Sequence, residues 1–178
     1  RELTIKLYGR NPGELASTPG MTLEKRLFQL LNSPGELAFE ELAGRQGTDA
    51  MELVFKPDFE GDRVFALIVG LGGMLRHAYG YNDESFLFDT LDPELPLTSA
   101  HNVEVLSWRL RNNRQVNGEP FLVTSEYQGV VDNLSFERLF GKLIVLQEMM
   151  ARIAGDADDR RVNKFVHAAG SMFIPLPL

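Results

Sequence analysis

Hydrophobic positions recur at helical rather than strand spacing along most of this chain. The most apolar stretch, VFALIVGLGGMLRHAYGY (64–81), sets Ala66, Gly70, Gly73 and His77 four, three and four residues apart, on one helical face. Val64, Leu67, Leu71, Met74 and Ala78 form a second, bulkier stripe. A helix apolar nearly all round is expected at the centre of a bundle. Two interior glycines cost about 1 kcal/mol each relative to alanine. That cost predicts close approach by a neighbouring backbone or a ligand, with Ala66, Gly70 and Gly73 as a helix-packing groove. A membrane span is too long for this stretch: Arg63 and Arg76 bracket twelve uncharged residues, whereas a bilayer core requires roughly 20. A dinucleotide loop also fails, because Gly70 and Gly72 are followed by Leu75 where the third glycine belongs.

The flanking patterns predict further elements. Leu3, Ile5 and Leu7 alternate as in a strand, and Asn11-Pro12-Gly13 and Pro19-Gly20 break the chain, so residues 1–21 read as an extended arm. Thr22 caps a helix carrying Leu23, Leu27, Leu30 and Leu31. Ser33-Pro34-Gly35-Glu36 has the form of a capping box and predicts another helix, to about Ala43. Thr48 starts a short helical turn through Met51 and Val54 that must end before Pro57. Thr98 or Ser99 then caps a helix with Val103, Leu106 and Leu110, with Trp108 beside them. Residues 115–128 read as a loop with at most one strand. Phe136, Leu139, Phe140, Leu143, Leu146, Met150 and Ile153 mark the longest amphipathic helix, closed at Gly155. A last helix with Val162, Phe165, Val166 and Ala169 precedes an extended FIPLPL tail. The expected fold is all-α, a single domain over 1–178. It is an irregular bundle of six to eight helices with an extended N-terminal arm and a C-terminal tail.

Composition narrows the function classes. The 178 residues carry a net charge of −7 and are 44% hydrophobic and 24% charged, ordinary for a folded domain. The acidic balance argues against a nucleic-acid footprint and against electrostatic docking on an anionic membrane. With no cysteine, disulfides, thiolate metal sites and cysteine nucleophiles are excluded.

Candidate chemistry is sparse. His77, His101 and His167 are the only histidines, and none pairs at the short spacing of a helical metal site. The acidic run Asp83 to Glu94 lacks the alternating ligands and glycine of a calcium loop. No GxSxG elbow or Ser-x-x-Lys motif occurs, though Ser125 and Ser135 stand near carboxylates along the chain. Trp108 with Arg109, Arg111 and Arg114 suits an anion or lipid headgroup, because guanidinium forks match planar oxyanions. The plainer account is cations meeting the negative end of a helix dipole. The arginines can also dock against the acidic segment. Residues placed to line a site are therefore His77, Tyr81, Asp83, Trp108, Arg109 and Arg111. No cofactor or metal is expected.

From NLSFERLFGKLIVLQEMMARI to FIPLPL the chain resembles a family of uncharacterised proteobacterial proteins. The likeness runs from about Asp62 to Leu178, and LSFERLFGKL is its sharpest mark. Members are expected to be exported, often as lipoproteins, and the family implies no activity and no catalytic residue. The resemblance, with Arg1 in first place, implies a signal peptide upstream, of the kind that in lipoproteins carries a lipidated cysteine. Three functional readings follow. The first is a non-catalytic cell-envelope domain, periplasmic or envelope-associated, that binds a partner protein or an apolar ligand. The second is a hydrolase using His77 or His101 with a nearby aspartate. The third is a cytoplasmic adaptor.

Overall fold

In a computed structural model of the chain, residues 1–81, 91–127, 130–131 and 133–156 are described. Among them the fold is all-α, as the spacing predicts. Its helices are α1 (Glu2–Arg10), α2 (Gly13–Ala16), α3 (Leu23–Leu31), α4 (Gly47–Leu53), α5 (Arg63–Ala78), α6 (Glu94–Asn112) and α7 (Ser135–Asp156). A 3-10 turn spans Glu40–Leu42, and a two-residue ribbon pairs β1 (Glu126–Tyr127) antiparallel with β2 (Val130–Val131).

The glycine-rich segment is the central helix. Asp62 caps α5 by accepting a hydrogen bond from the Phe65 amide, and Val64, Phe65, Ala66, Leu67 and Val69 are fully buried. Its far end closes in a Schellman arrangement: Gly80, at φ +65°, donates to His77 O, and Tyr81 donates to Arg76 O. Helix α4 packs along α5, α6 and α1 touch it elsewhere, and α7 packs on α6. The contact with α4 uses the small-residue face. A methyl group on Gly70 would lie 2.6 Å from Gly47 O and 2.7 Å from Met51 N, and one on Gly73 would lie 3.1 Å from Gly47 N. Two backbones thus meet where side chains are missing.

The extended arm expected over residues 1–21 is not present. Residues 2–10 form α1, which buries Thr4, Leu7 and Tyr8, spaced by three and one, against the core. Leu7 satisfies a strand pattern and a helical one equally, and packing on α5 selects the helix. A buried polar network ties this segment down. Asp62 Oδ2 accepts from the Tyr8 hydroxyl at 2.7 Å and from Arg26 Nε at 3.2 Å. Arg26, fully buried, also donates to Gln29, Glu41 and Thr18 and lies 4.0 Å above the Phe65 ring. Its hydrogen bonds hold the Glu41 carboxyl below the usual carboxylate range. Burial, then the Asp62 charge, drives the Tyr8 hydroxyl well above its ordinary value, so it stays a donor.

Two other boundaries differ from expectation. Residues 33–39 are not helical: Ser33 Oγ donates back to Gln29 O, and Arg76 donates to the Ser33 and Gly35 carbonyls. A long-range arginine has taken acceptors that a helix would have used. Helix α6 begins four residues before Thr98, with Asp92 Oδ1 accepting from the Glu94 amide, so Thr98 and Ser99 are buried inside it. Pro96 fits in its first turn, where an amide proton has no helical partner. The loop with at most one strand expected over 115–128 holds β1, and Pro120 within it forms a bridge with Arg114 just before it.

On α7 the buried line runs Phe136, Phe140, Gln147, Ala151 and Ala154. Leu146 and Ile153, expected in the core, are 49% and 40% exposed, and Val145 and Met149 share that outer side. Gln147 turns inward because its Oε1 accepts from the Tyr79 hydroxyl at the end of α5. The expected last helix and tail lie outside the described residues.

Candidate functional site

The six residues placed by sequence to line a site do not gather in one. His77 and Tyr81 share a cleft beside the glycine face of α5. Trp108 and Arg111 share another, between α6 and α7. Arg109 belongs to neither, and Asp83 lies outside the described residues.

The first cleft, of about 410 Å³, opens where the turn Ala43–Gln46 leads into α4. Gly47, Thr48 and Asp49 form one wall, and Gly73, Met74, His77 and Tyr81 the other. The rings of His77 and Tyr81 meet edge-on, 5.7 Å between centroids. Two non-glycine residues among those described have left-handed backbones, Ala43 at φ +53° and Tyr81 at φ +57°, and both line this cleft. An L side chain in that region is strained, because its Cβ crowds the following carbonyl. Burial, and then Glu36, raise the Tyr81 hydroxyl pKa, keeping it a neutral donor. Asp49 faces the same space as His77, but no hydrogen bond or ion pair joins His77 to a carboxylate among the described residues.

The second cleft, of about 640 Å³, lies between facing helices. Glu104, Ser107, Trp108 and Arg111 recur at three- and four-residue spacing on α6, and Glu137, Phe140 and Ile144 do so on α7. Thr124 and Ser125, both buried, form its inner end. Glu137 was not singled out from sequence, because a glutamate in the first turn of a helix has an ordinary dipole explanation. Its Oε2 is nonetheless buried without a hydrogen-bond partner among the described residues. Ser135, the other serine noted near a carboxylate, also has a buried hydroxyl without one.

The arginine cluster is dispersed. Arg109 grips Glu52 of α4 through both fork nitrogens, at 2.5 and 3.0 Å, and lies 4.1 Å over the Phe55 ring. Arg114 donates to the Arg111 and Asn113 carbonyls. Glu52 on α4 accepts from Arg109, and most of the acidic segment expected to meet these arginines lies outside the described residues. His101 sits within α6 and lines neither cleft. No group of three metal-ligating side chains converges among the described residues, and no described helix is long and apolar enough to cross a membrane.

No protein-family model, curated protein or solved structure matches the chain.

Proposed function

We infer that this protein is a non-catalytic binding domain of the bacterial cell envelope, and that it takes a small, largely apolar ligand in the cleft beside Gly73. The observation that carries the binding role is the coincidence of Ala43 and Tyr81, both left-handed, on the rim of one cleft. Each such backbone costs on the order of 1–3 kcal/mol and persists only where surrounding structure imposes it. Met74 and the Tyr81 ring supply apolar wall, and His77, Thr48 and Gln46 supply the few polar groups that orient a ligand. The envelope assignment rests on the resemblance of residues 62–178 to exported proteins.

Titration with the apolar fluorophore N-phenyl-1-naphthylamine tests the reading. The wild-type protein is expected to bind it saturably, and Thr48→Phe, which adds bulk at the cleft wall, to lose most of that binding. Equal binding by both proteins sinks the assignment of the cleft. A generic esterase or phosphatase activity abolished by His77→Ala would favour the hydrolase reading, with Asp49 as the aspartate within reach of the same space. The adaptor reading predicts a cytoplasmic protein and is separated by fractionating cells that express the full gene.

A further inference from the structure

The α6–α7 cleft carries chemistry opposite to what its tryptophan and arginines suggest in sequence. Arg109 is committed to Glu52 and Arg114 to backbone carbonyls, so Arg111 is the cation on its lining. Two carboxylates, Glu104 and Glu137, face it. One of them has an unfilled position: Glu137 Oε2 is shielded from solvent and accepts no hydrogen bond among the described residues. The dipole of α7 favours a negative charge there, yet a dipole supplies no proton to that oxygen. Desolvating a carboxylate oxygen without a donor is costly, more so than for a neutral acceptor. The walls beside it are aromatic and aliphatic: Trp108, 52% exposed, and Phe140 with Ile144. An N–H-bearing cation on a short apolar stem answers all three features. Once the Glu137 side chain turns toward the cleft, the cation's protons fill that oxygen, its stem covers Phe140 and Ile144, and the Trp108 face attracts its charge.

We propose that the cleft between α6 and α7 is a binding site for a small alkylammonium ligand, held by Glu137 and flanked by Trp108. This site is separate from the cleft beside Gly73, and either can fail without the other. A quaternary ammonium, with no N–H to give, fits less well. A carboxylate of the same length meets two like charges.

Trp108 is the sole tryptophan, so protein fluorescence reports on this cleft directly. Hexylammonium, tetramethylammonium and hexanoate are titrated in turn against the full chain. Saturable quenching or shift is expected with hexylammonium, weaker with tetramethylammonium and absent with hexanoate. Glu137→Gln keeps the shape and removes the charge. It is expected to weaken hexylammonium about tenfold or more, the size of a hydrogen bond to a charged group. Glu104→Gln, at an exposed position, serves as a second variant should the first fold poorly, with a loss of a few-fold. Hexanoate binding as well as hexylammonium overturns the proposal. So does unchanged affinity in a folded Glu137→Gln protein, or the absence of saturable binding by hexylammonium.

Discussion

Replacing Gly70 with alanine isolates the contact that organises this fold. In a helix interior the change is favourable by about 1 kcal/mol on propensity alone. Here the added methyl would stand 2.6 Å from Gly47 O, 2.6 Å from Met51 Cγ and 2.7 Å from Met51 N. Ordinary contact begins near 3.4 Å, so the start of α4 must retreat about 0.8 Å, and two of the three obstructing atoms are backbone. Overpacking of this kind costs about 1–3 kcal/mol, which leaves a net loss on the order of 1 kcal/mol after the propensity gain. Two neighbours calibrate the estimate. Gly72→Ala meets only Leu37 Cδ1, the free end of a flexible side chain, at 2.9 Å, and should be neutral or slightly stabilising. Gly141→Ala on α7 meets nothing within 4 Å and should gain nearly the full propensity term of about 1 kcal/mol. Urea denaturation followed by circular dichroism ranks the three, and each kcal/mol corresponds to roughly 2–4 °C in Tm for a chain of this size. If Gly70→Ala and Gly141→Ala move the midpoint in the same direction, the close approach of α4 and α5 is not what holds them.

Three further perturbations probe the buried polar groups. Arg26→Met leaves Asp62 and Glu41 without their cation and should lower stability by about 3–5 kcal/mol, read as a Tm drop on the order of 10 °C; an added Asp62→Asn should recover part of it, and a double variant as unstable as the single one contradicts the pairing. Burial, the largest influence, raises the Glu14 carboxyl above its ordinary pKa although it accepts from the Arg63 amide at 2.5 Å. A raised folded pKa gives stability that is complete below the unfolded value of about 4.3 and lost as pH rises through the folded one. Glu14→Gln should therefore be more stable than wild type at pH 7 and converge with it near pH 4, and a difference that widens toward acid refutes this. Tyr79→Phe strips Gln147, 5% exposed, of its donor and should cost about 1–2 kcal/mol in a urea titration; no measurable loss would mean that water fills the gap.

What could be read from sequence was local and periodic. The α5 segment needed only the 3.6-residue repeat and its missing side chains. Helix α4 needed the stop at Pro57. The failures share a cause: residues distant in sequence took over groups that local signals had claimed. Arg76 removed the Ser33 and Gly35 carbonyls from a helix that the capping box predicted. Gln147 turned inward to meet Tyr79, rotating α7 away from Leu146 and Ile153. The candidate residues fared similarly. His77 and Tyr81 are one helical turn apart and stayed together, but Arg109 left its neighbours for Glu52, 57 positions earlier. Glu137 carried no signal at all, since its importance lies in a missing hydrogen bond.

Asn11, in the short connection after α1, has a bearing on how the chain reaches its final form. Its side-chain amide donates to Val123 O at 2.9 Å and accepts from Val123 N at 2.7 Å, reproducing a peptide pair across 112 residues. Asn11 is thus latched by a stretch of loop that is synthesised 112 residues after it. Until that loop arrives, the amide has only water for company on that side, and α1 holds to α5 through the Tyr8–Asp62 bond and apolar contact. Joining ends so far apart is slow, because closure entropy must be spent before the bond rewards it. The Asn11–Val123 latch is accordingly expected to close late, after α1 has met α5.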